Sequence, residues 1–348
     1  MTTKTRMRGL TRRATLALAS ATALASMLTL AAPSSALAQA KKTLIVAEPT
    51  HGIGYLPLYV AIHKGYFADQ NIEVKIMTVD SGSGHTNAVL TGQAFAFIGG
   101  PEHNAFAKLK GAELRAVVNV VDRGNVYFVA KKGMEPKPGQ SMADYFKGKK
   151  IGVGQYSGTP NSITRYLMAK YGLDVKKDVT LVETATAAVI ATVKTGAADI
   201  GNVSEPLIAR GLKEGLWGEP FLSIPDELGP YAYSTLNVRL DSIEKDPDTV
   251  QKFVNGVVMG LKFTYSNPAE ATLIAKKEFP TMSEEDLKAT LDRTFKDKLW
   301  SADGSISQAS WDTGSAVVRE AGILKQDVKY DEIIDNRFLK AVKAEVAK

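Results

Sequence analysis

The feature of this sequence that most limits its fold is a regular alternation of short apolar strands and short helices from residue 41 onward. TLIVAE (43–48) is typical of a strand, and a glycine-containing loop and a short helix separate it from the alternating segment NIEVKIM (71–77). Gly65 and Gly92 each follow a predicted helix, where a residue with positive φ commonly ends it. Strands that alternate with helices this closely predict parallel β-sheet in an α/β fold.

The same order of elements begins again near Lys149, which indicates an internal repeat. Residues 91–111 and 195–215 align without a gap, and five small residues coincide, including Gly92 with Gly196. We therefore predict two lobes of similar build, each a mainly parallel sheet flanked by helices.

Two extended apolar segments, 124–133 and 231–240, are predicted to cross between the lobes and to form a hinge beside a cleft. The amphipathic helices predicted over 241–348 are expected to pack on the first lobe. The predicted division of the chain is 1–38 as a leader, 41–127 plus 234–348 as the first lobe, and 128–233 as the second lobe.

The first 38 residues have the pattern of a cleaved secretory signal. Five basic residues precede an Ala-rich apolar run, which closes on the small-residue site ending at Ala38. Removal of this segment leaves 38 basic and 37 acidic residues, a net charge of +1, so the basic composition is no argument for nucleic-acid binding. The pattern predicts an exported, periplasmic protein. Because the chain has no Cys, it has neither disulfides nor thiolate chemistry.

Ligands of open parallel sheets bind outside the carboxyl ends of the strands, so the loops after the strands are the candidate site. The loops SGSG (81–84) and YSGT (156–159) place hydroxyls and unhindered N–H groups at predicted helix starts, either for an oxyanion or only as N-caps. Tyrosines beside the loops are candidates for stacking on a planar ligand. The candidate ligand-binding residues are His51, Gly52, Tyr55, Ser81, Gly82, Ser83, Gly100, Glu102, His103, Tyr156, Ser157, Gly158, Thr159, Glu205 and Tyr231.

Three histidines, His51, His85 and His103, fall in successive candidate loops, and together they suggest a periplasmic metal carrier as an alternative. We favour a neutral hydrogen-bonding pocket without metal or cofactor, because none of the three lies within a helical turn of another. No nucleophile elbow or dinucleotide fingerprint occurs, so an enzyme is the less economical hypothesis.

The segments GYLPLYVAIHKGYFADQNIEVKI, DSGSGHTNAVLTGQ and EPLIA resemble substrate-binding proteins of bacterial ABC importers. The resemblance is to the nitrate, sulfonate, taurine and thiamine-pyrimidine-precursor group, also called SsuA/THI5-like or NMT1-like. It implies the two-lobed periplasmic-binding-protein type II fold, closure of the lobes around a ligand, and delivery to a membrane permease by a monomer. The implied ligand is a small organic anion, such as a sulfonate or aromatic acid, or a planar N-heteroaromatic compound. The resemblance also reaches pyrimidine-synthase enzymes, whose cysteine-rich iron motif this chain lacks. An exported enzyme of that type, or a metal-dependent exported enzyme, is the alternative function.

Overall fold

This computed structural model describes residues 1–2, 41–79 and 82–346, with side chains up to residue 342. Within these residues, short strands rich in Val, Ile, Phe and Ala form two sheets. The strands are β1 (Lys42–Glu48), β2 (Ile72–Thr78), β3 (Ala96–Gly99), β4 (Leu114–Arg123), β5 (Tyr127–Ala130), β6 (Lys150–Gly154), β7 (Thr180–Thr184), β8 (Ile200–Val203), β9 (Leu222–Ser223) and β10 (Pro230–Arg239). The predicted leader lies outside this range except for its first two residues, so its cleavage stays a prediction.

The helices cover the faces of both sheets. They are α1 (Leu56–His63), α2 (Gly84–Leu90), α3 (Glu102–Lys108), α4 (Met142–Phe146), α5 (Thr159–Lys170), α6 (Val189–Lys194), α7 (Leu207–Lys213), α8 (Ile224–Leu228), α9 (Leu240–Lys245), α10 (Pro247–Ser266), α11 (Pro268–Glu278), α12 (Glu284–Lys296), α13 (Gln308–Glu320) and α14 (Arg337–Val346). None of the helices in the described residues has the length and apolar character needed to cross a membrane.

Both sheets have the same strand arrangement. The first sheet has the order β2-β1-β3-β10-β4 and the second has the order β7-β6-β8-β5-β9. In each sheet the first three strands are parallel and the fourth pairs antiparallel with the third. The prediction of an α/β fold with two mainly parallel sheets is therefore confirmed. We call each sheet with the helices packed on it the first lobe and the second lobe.

The chain passes between the lobes twice, between β4 and β5 and again between β9 and β10. Both segments predicted to be extended contain a strand, but each strand belongs to one sheet, and the residues that connect the lobes are 124–126 and 224–229. Residues 41–348 form one compact unit. The lobe boundaries proposed from the sequence stay a prediction.

The internal repeat is visible in the ends of α2 and α6. Thr91 and Thr195 each donate their hydroxyl to the backbone carbonyl four residues earlier, at 2.9 Å. Gly92 and Gly196, which follow them, both have a φ of 77°. Because an L side chain rarely adopts this conformation, glycine is required to turn the chain into the next strand of each sheet.

The helices after β10 pack on the first lobe, as the sequence predicted. Asp246 caps α10 by accepting from the N–H of Thr249 at 3.1 Å, and α10 then packs closely against α1. The approach is close because a Cβ on Gly260 would lie nearer than 3.0 Å to the carbonyl oxygen of Pro57. This contact fixes α1, whose first turn follows directly on the loop 49–55.

Two of these C-terminal helices also reach the second lobe. Helix α13 contacts α5, and helix α12 contacts α7. The two lobes are therefore in contact through these helices as well as through the two connecting segments.

Candidate functional site

A small cavity lies between the carboxyl ends of the two sheets. Its volume is about 70 Å³, measured as the space open to the centre of a water-sized sphere. Both lobes contribute to its wall, which consists of Pro49, Thr50, Gly52, Gly54, Tyr55, Gly82, His85, Gly99, Gly100, His103, Asn125, Gly154, Gln155, Gly158, Thr159, Pro160, Thr186, Ser204, Tyr233 and Ser234. This is the edge at which parallel sheets present their ligands.

The loop after β1 is held by the buried carboxylate of Glu48. This carboxylate accepts from the hydroxyl of Tyr59 at 2.6 Å and from that of Thr78 at 2.8 Å, and it lies 3.0 Å from Nδ1 of His51. Further along the loop, the carbonyl of Gly54 accepts from the indole N–H of Trp300 at 2.9 Å. These bonds fix the backbone that forms one wall of the cavity.

His51 points away from the cavity. Its Nε2 lies 3.3 Å from Oε2 of Glu278, and its ring lies between those of Tyr59 and Phe279 at 4.7 and 4.9 Å. Hydrogen bonds to Glu278 and Glu48 raise the pKa of His51 to about 10, so it is protonated at pH 7. His51 therefore connects the loop after β1 to the end of α11 and does not line the cavity.

Two other imidazoles form part of the cavity wall. The rings of His85 and His103 meet edge to face at 4.7 Å, and both side chains are buried. Burial lowers the pKa of His103 to about 4, so this ring is neutral at pH 7 and has one donor and one acceptor nitrogen. Burial also raises the pKa of Tyr55, which stays a neutral hydroxyl.

The second lobe closes the cavity with the loop before α5. Directly after that loop, at the start of α5, the hydroxyl of Thr159 donates to Oε1 of Glu102, in the first lobe, at 2.6 Å. The side-chain oxygen of Gln155 accepts from the backbone N–H of Gly82 at 3.2 Å. A Cβ on Gly82 would lie nearer than 3.0 Å to the carbonyl oxygen of Tyr156, so the two lobes touch here through backbone.

The structure places about half of the predicted ligand-binding residues in the cavity wall: Gly52, Tyr55, Gly82, Gly100, His103, Gly158 and Thr159. Ser83, Tyr156 and Ser157 instead line a more open groove of about 520 Å³, which shares His103 with the cavity. Ser81 lies outside the described residues.

The remaining predicted residues lie behind the wall. Glu102 is buried between Gly100 and Thr159, whereas Tyr231 is buried against Gly314. Glu205 is also buried and accepts from Nε of Arg293 at 2.9 Å. Burial raises the pKa of Glu205 despite this guanidinium. These residues are thus positioned to support the cavity wall.

The three histidines of the metal-carrier alternative are not brought together. His85 and His103 are neighbours, but His51 bonds to Glu48 and Glu278 on a different part of the first lobe. Within residues 41–79 and 82–346, no group of three or more His, Cys, Asp or Glu side chains is arranged to bind a metal ion.

Sequence reasoning missed several polar residues of the wall. Gln155 and Ser204 lie in loops that follow strands, next to the predicted residues Tyr156 and Glu205. Their position at strand ends could therefore have identified them as candidates. Asn125 and Tyr233 lie where the chain leaves and re-enters the first sheet. Nothing in the local sequence separates them from ordinary strand-end residues.

Known proteins resemble this chain over most of its length. YtlA of Bacillus subtilis (strain 168) is 24% identical over 305 residues, which cover 86% of this chain and 90% of that protein. The riboflavin-binding protein RibY of Chloroflexus aurantiacus is 27% identical over 311 residues, 82% of this chain and 83% of that protein.

The fold is also that of solved binding proteins. The alkanesulfonate-binding protein SsuA from Xanthomonas axonopodis pv. citri, bound to MOPS, has a TM-score of 0.69 at 14% identity and covers 84% of this chain and 98% of its own. The sequence model of the NMT1/THI5-like family matches residues 53–271, more than half of the chain. These residues span α1 to α11 and include most of the cavity wall, and the chain therefore belongs to the NMT1/THI5-like family.

Proposed function

We propose that this protein is the solute-binding component of an ABC-type importer, which captures a small organic solute between its lobes and delivers it to a membrane permease. The observation that carries the proposal is the cavity between the two lobes, whose wall comes from the strand ends of both sheets. Capture requires no chemical step, because a solute that binds the closed arrangement better shifts the equilibrium toward it. We therefore propose a binding protein and not an enzyme.

We further propose an uncharged planar N-heteroaromatic compound as the solute, in preference to an organic anion. The wall residues include no Lys, Arg, Asp or Glu in the part of the chain that the structure describes. His103 is neutral at pH 7, so it supplies no positive charge to an anion. A buried sulfonate or carboxylate without a cationic partner is costly, because its desolvation is not offset.

The wall instead offers groups that suit a neutral ring. Amides of Asn125 and Gln155, hydroxyls and the neutral imidazole of His103 present both donors and acceptors, and Tyr55 and Tyr233 add aromatic surface. A relative is named as a binder of riboflavin, whose ring system is planar and N-heteroaromatic. The export signal and the monomeric state belong to the same proposal, and the mass of the native protein tests the monomeric state.

The proposal is tested on the mature chain, residues 39–348, purified gently and measured by native mass spectrometry before and after mild denaturation. We expect one small uncharged heteroaromatic molecule released per chain, and one site by calorimetry when that molecule is added back. Nicotinamide and nicotinate serve as a matched pair of probes, because they share shape and differ in charge. A released sulfonate or carboxylate would contradict the ligand class. A chain that carries no solute and gives no heat with either uncharged heteroaromatic compounds or organic anions would contradict the binding function.

A further inference from the structure

One hydrogen bond joins the two lobes directly behind the cavity wall. Thr159, at the start of α5 in the second lobe, donates its hydroxyl to Oε1 of Glu102, at the start of α3 in the first lobe, at 2.6 Å. Gly100 and His103, on either side of Glu102 in the sequence, line the cavity, as does Thr159 itself. The position of this bond therefore determines how the two walls of the cavity face each other.

Glu102 is unusually placed for a carboxyl group. Only 1% of its surface is exposed, and within the described residues Oε2 has no hydrogen-bond partner from another residue. The carboxyl group is thus buried with one neutral donor from the opposite lobe and one hydrogen bond from its own backbone. A buried carboxylate without an ionic partner is costly, and a proton relieves this cost.

The titratable groups that face Glu102 do not compensate its charge. His103 on α3 is neutral at pH 7, and its ring packs against that of His85 on α2. Tyr231 and Tyr233 on β10 are buried phenols, and the charge of Glu102 contributes to raising the pKa of each. Burial raises the pKa of Glu102 itself to about 7, against an ordinary value of 4.5.

Thr159 of the second lobe covers one oxygen of Glu102. Its hydrogen bond lowers the pKa of the carboxyl group, whereas burial, the larger cause, raises it. Separation of the lobes removes this hydroxyl, admits water, and returns the carboxyl group toward its ordinary acidity. The open arrangement therefore binds fewer protons than the closed one near neutral pH.

We propose that Glu102 is a positioning residue that aligns Thr159 with the first-lobe wall of the cavity, and that closure of the lobes takes up one proton on the Glu102 carboxyl group. The proposal rests on the proposed function, in which closure is the step that captures the solute. It adds that acid favours the closed arrangement even without solute.

The expected effect follows from the two acidities. With ordinary acidity in the open arrangement and a pKa of about 7 in the closed one, the ratio of closed to open chains falls roughly 70-fold between pH 5 and pH 8.5. In Glu102→Gln, which carries a neutral side chain at every pH, this dependence disappears.

The absence of Cys from the sequence makes the measurement specific. Cysteines placed at the exposed Lys110 of the first lobe and Lys132 of the second carry spin labels, and electron–electron double resonance then gives the distance between the lobes without any solute. Three labelled proteins are measured from pH 5 to pH 8.5: the parent, the variant Glu102→Gln, and the variant Glu244→Gln as the control. Glu244 is an exposed glutamate on α9.

We expect a closed population at pH 5 that declines toward pH 8.5 in the parent and in Glu244→Gln, and no decline in Glu102→Gln. The proposal is overturned by a parent whose ratio of closed to open chains changes less than threefold, by a parent that is fully open at pH 5, or by Glu102→Gln with the parent's slope. The parent alone decides the first two outcomes, so a variant that fails to fold does not block the test. Since no solute is present, failure of the proposed function is seen separately in the mass-spectrometric experiment.

Discussion

The buried ion pair between Glu205 and Arg293 allows a quantitative test of how the second lobe is held against α12. Glu205 follows β8 and is 3% exposed, and its carboxylate accepts from Nε of Arg293 at 2.9 Å. Two weaker donors remain, the hydroxyl of Thr290 and the backbone N–H of Ala209, each at 3.2 Å. Because Ser204 in the same loop lines the cavity, the pair also fixes part of the site.

The perturbation is Arg293→Met, which keeps most of the aliphatic stem and removes the guanidinium. Loss of one partner from a fully buried pair costs about 3–5 kcal/mol, because the other charge stays buried without compensation. Arg293 is 20% exposed, and the donors from Thr290 and Ala209 remain with Glu205, so we expect a cost just below that range, about 2–3 kcal/mol. Its second partner, Glu219, is 69% exposed and adds less than about 1 kcal/mol.

The loss of free energy of unfolding caused by Arg293→Met should depend on pH in a defined direction. Burial already raises the pKa of Glu205, and removal of Arg293 raises that pKa further. A carboxyl group whose pKa is raised on folding is tolerated below its unfolded pKa and becomes destabilising as pH rises through its folded pKa. The loss of stability in Arg293→Met should therefore be larger at pH 8 than at pH 5.

The assay is urea unfolding followed by tryptophan fluorescence at pH 5 and pH 8. Arg210→Met is the matched control, because Arg210 on α7 is 63% exposed and pairs with Glu214, which follows α7 directly, a contact worth about 0.3–0.5 kcal/mol. The double variant with Glu205→Gln should recover most of the loss, since no charge is then left buried. A cost below about 0.5 kcal/mol at both pH values, or full additivity in the double variant, would refute the reasoning.

Two further substitutions test the cleft and the loop that borders it. Gly82→Ala places a Cβ against the backbone of Tyr156 in the opposite lobe, so we expect at least a tenfold loss of solute affinity by calorimetry with little change in unfolding midpoint. Gly218→Ala is the control and should match the parent, because its Cβ meets open space. Unchanged affinity in Gly82→Ala would contradict the contact. The pKa of His51, raised to about 10 by Glu278 and Glu48, predicts stability that is fully present below pH 6.5 and is lost as pH rises through about 10. The stability advantage of the parent over His51→Gln should therefore shrink from pH 6 to pH 9.5 in thermal unfolding, and an advantage independent of pH would exclude this role.

The repeat shows how local signals predicted much of the fold. Gly92 follows a predicted helix and aligns with Gly196 in the repeat, and both adopt the positive φ that commonly ends a helix. The alternation of strands and helices likewise predicted parallel sheets, because a short helical crossover joins parallel neighbours. These properties depend on residues that are close in sequence.

The candidate site was only partly predictable. The strand-end rule marked the loops that hold Gly52 and Thr159, because it follows from sheet topology alone. It did not distinguish which side chains in those loops face the cavity. His51 and Gly52 are adjacent, yet Gly52 lines the cavity while His51 bonds to Glu278, more than 200 residues away in the chain.

The sequence by itself determined the order of strands and helices, the internal repeat and the edge of the sheets at which a ligand would bind. Backbone conformation, alternation of apolar residues and chain connectivity act over a few residues, so they can be read along the chain. Only the tertiary structure decided which side chains face the cavity, that its wall is uncharged, and that Glu102 lies buried against Thr159. These properties depend on which distant segments exclude water from a given group, and burial of that kind exists only once the two lobes are packed together.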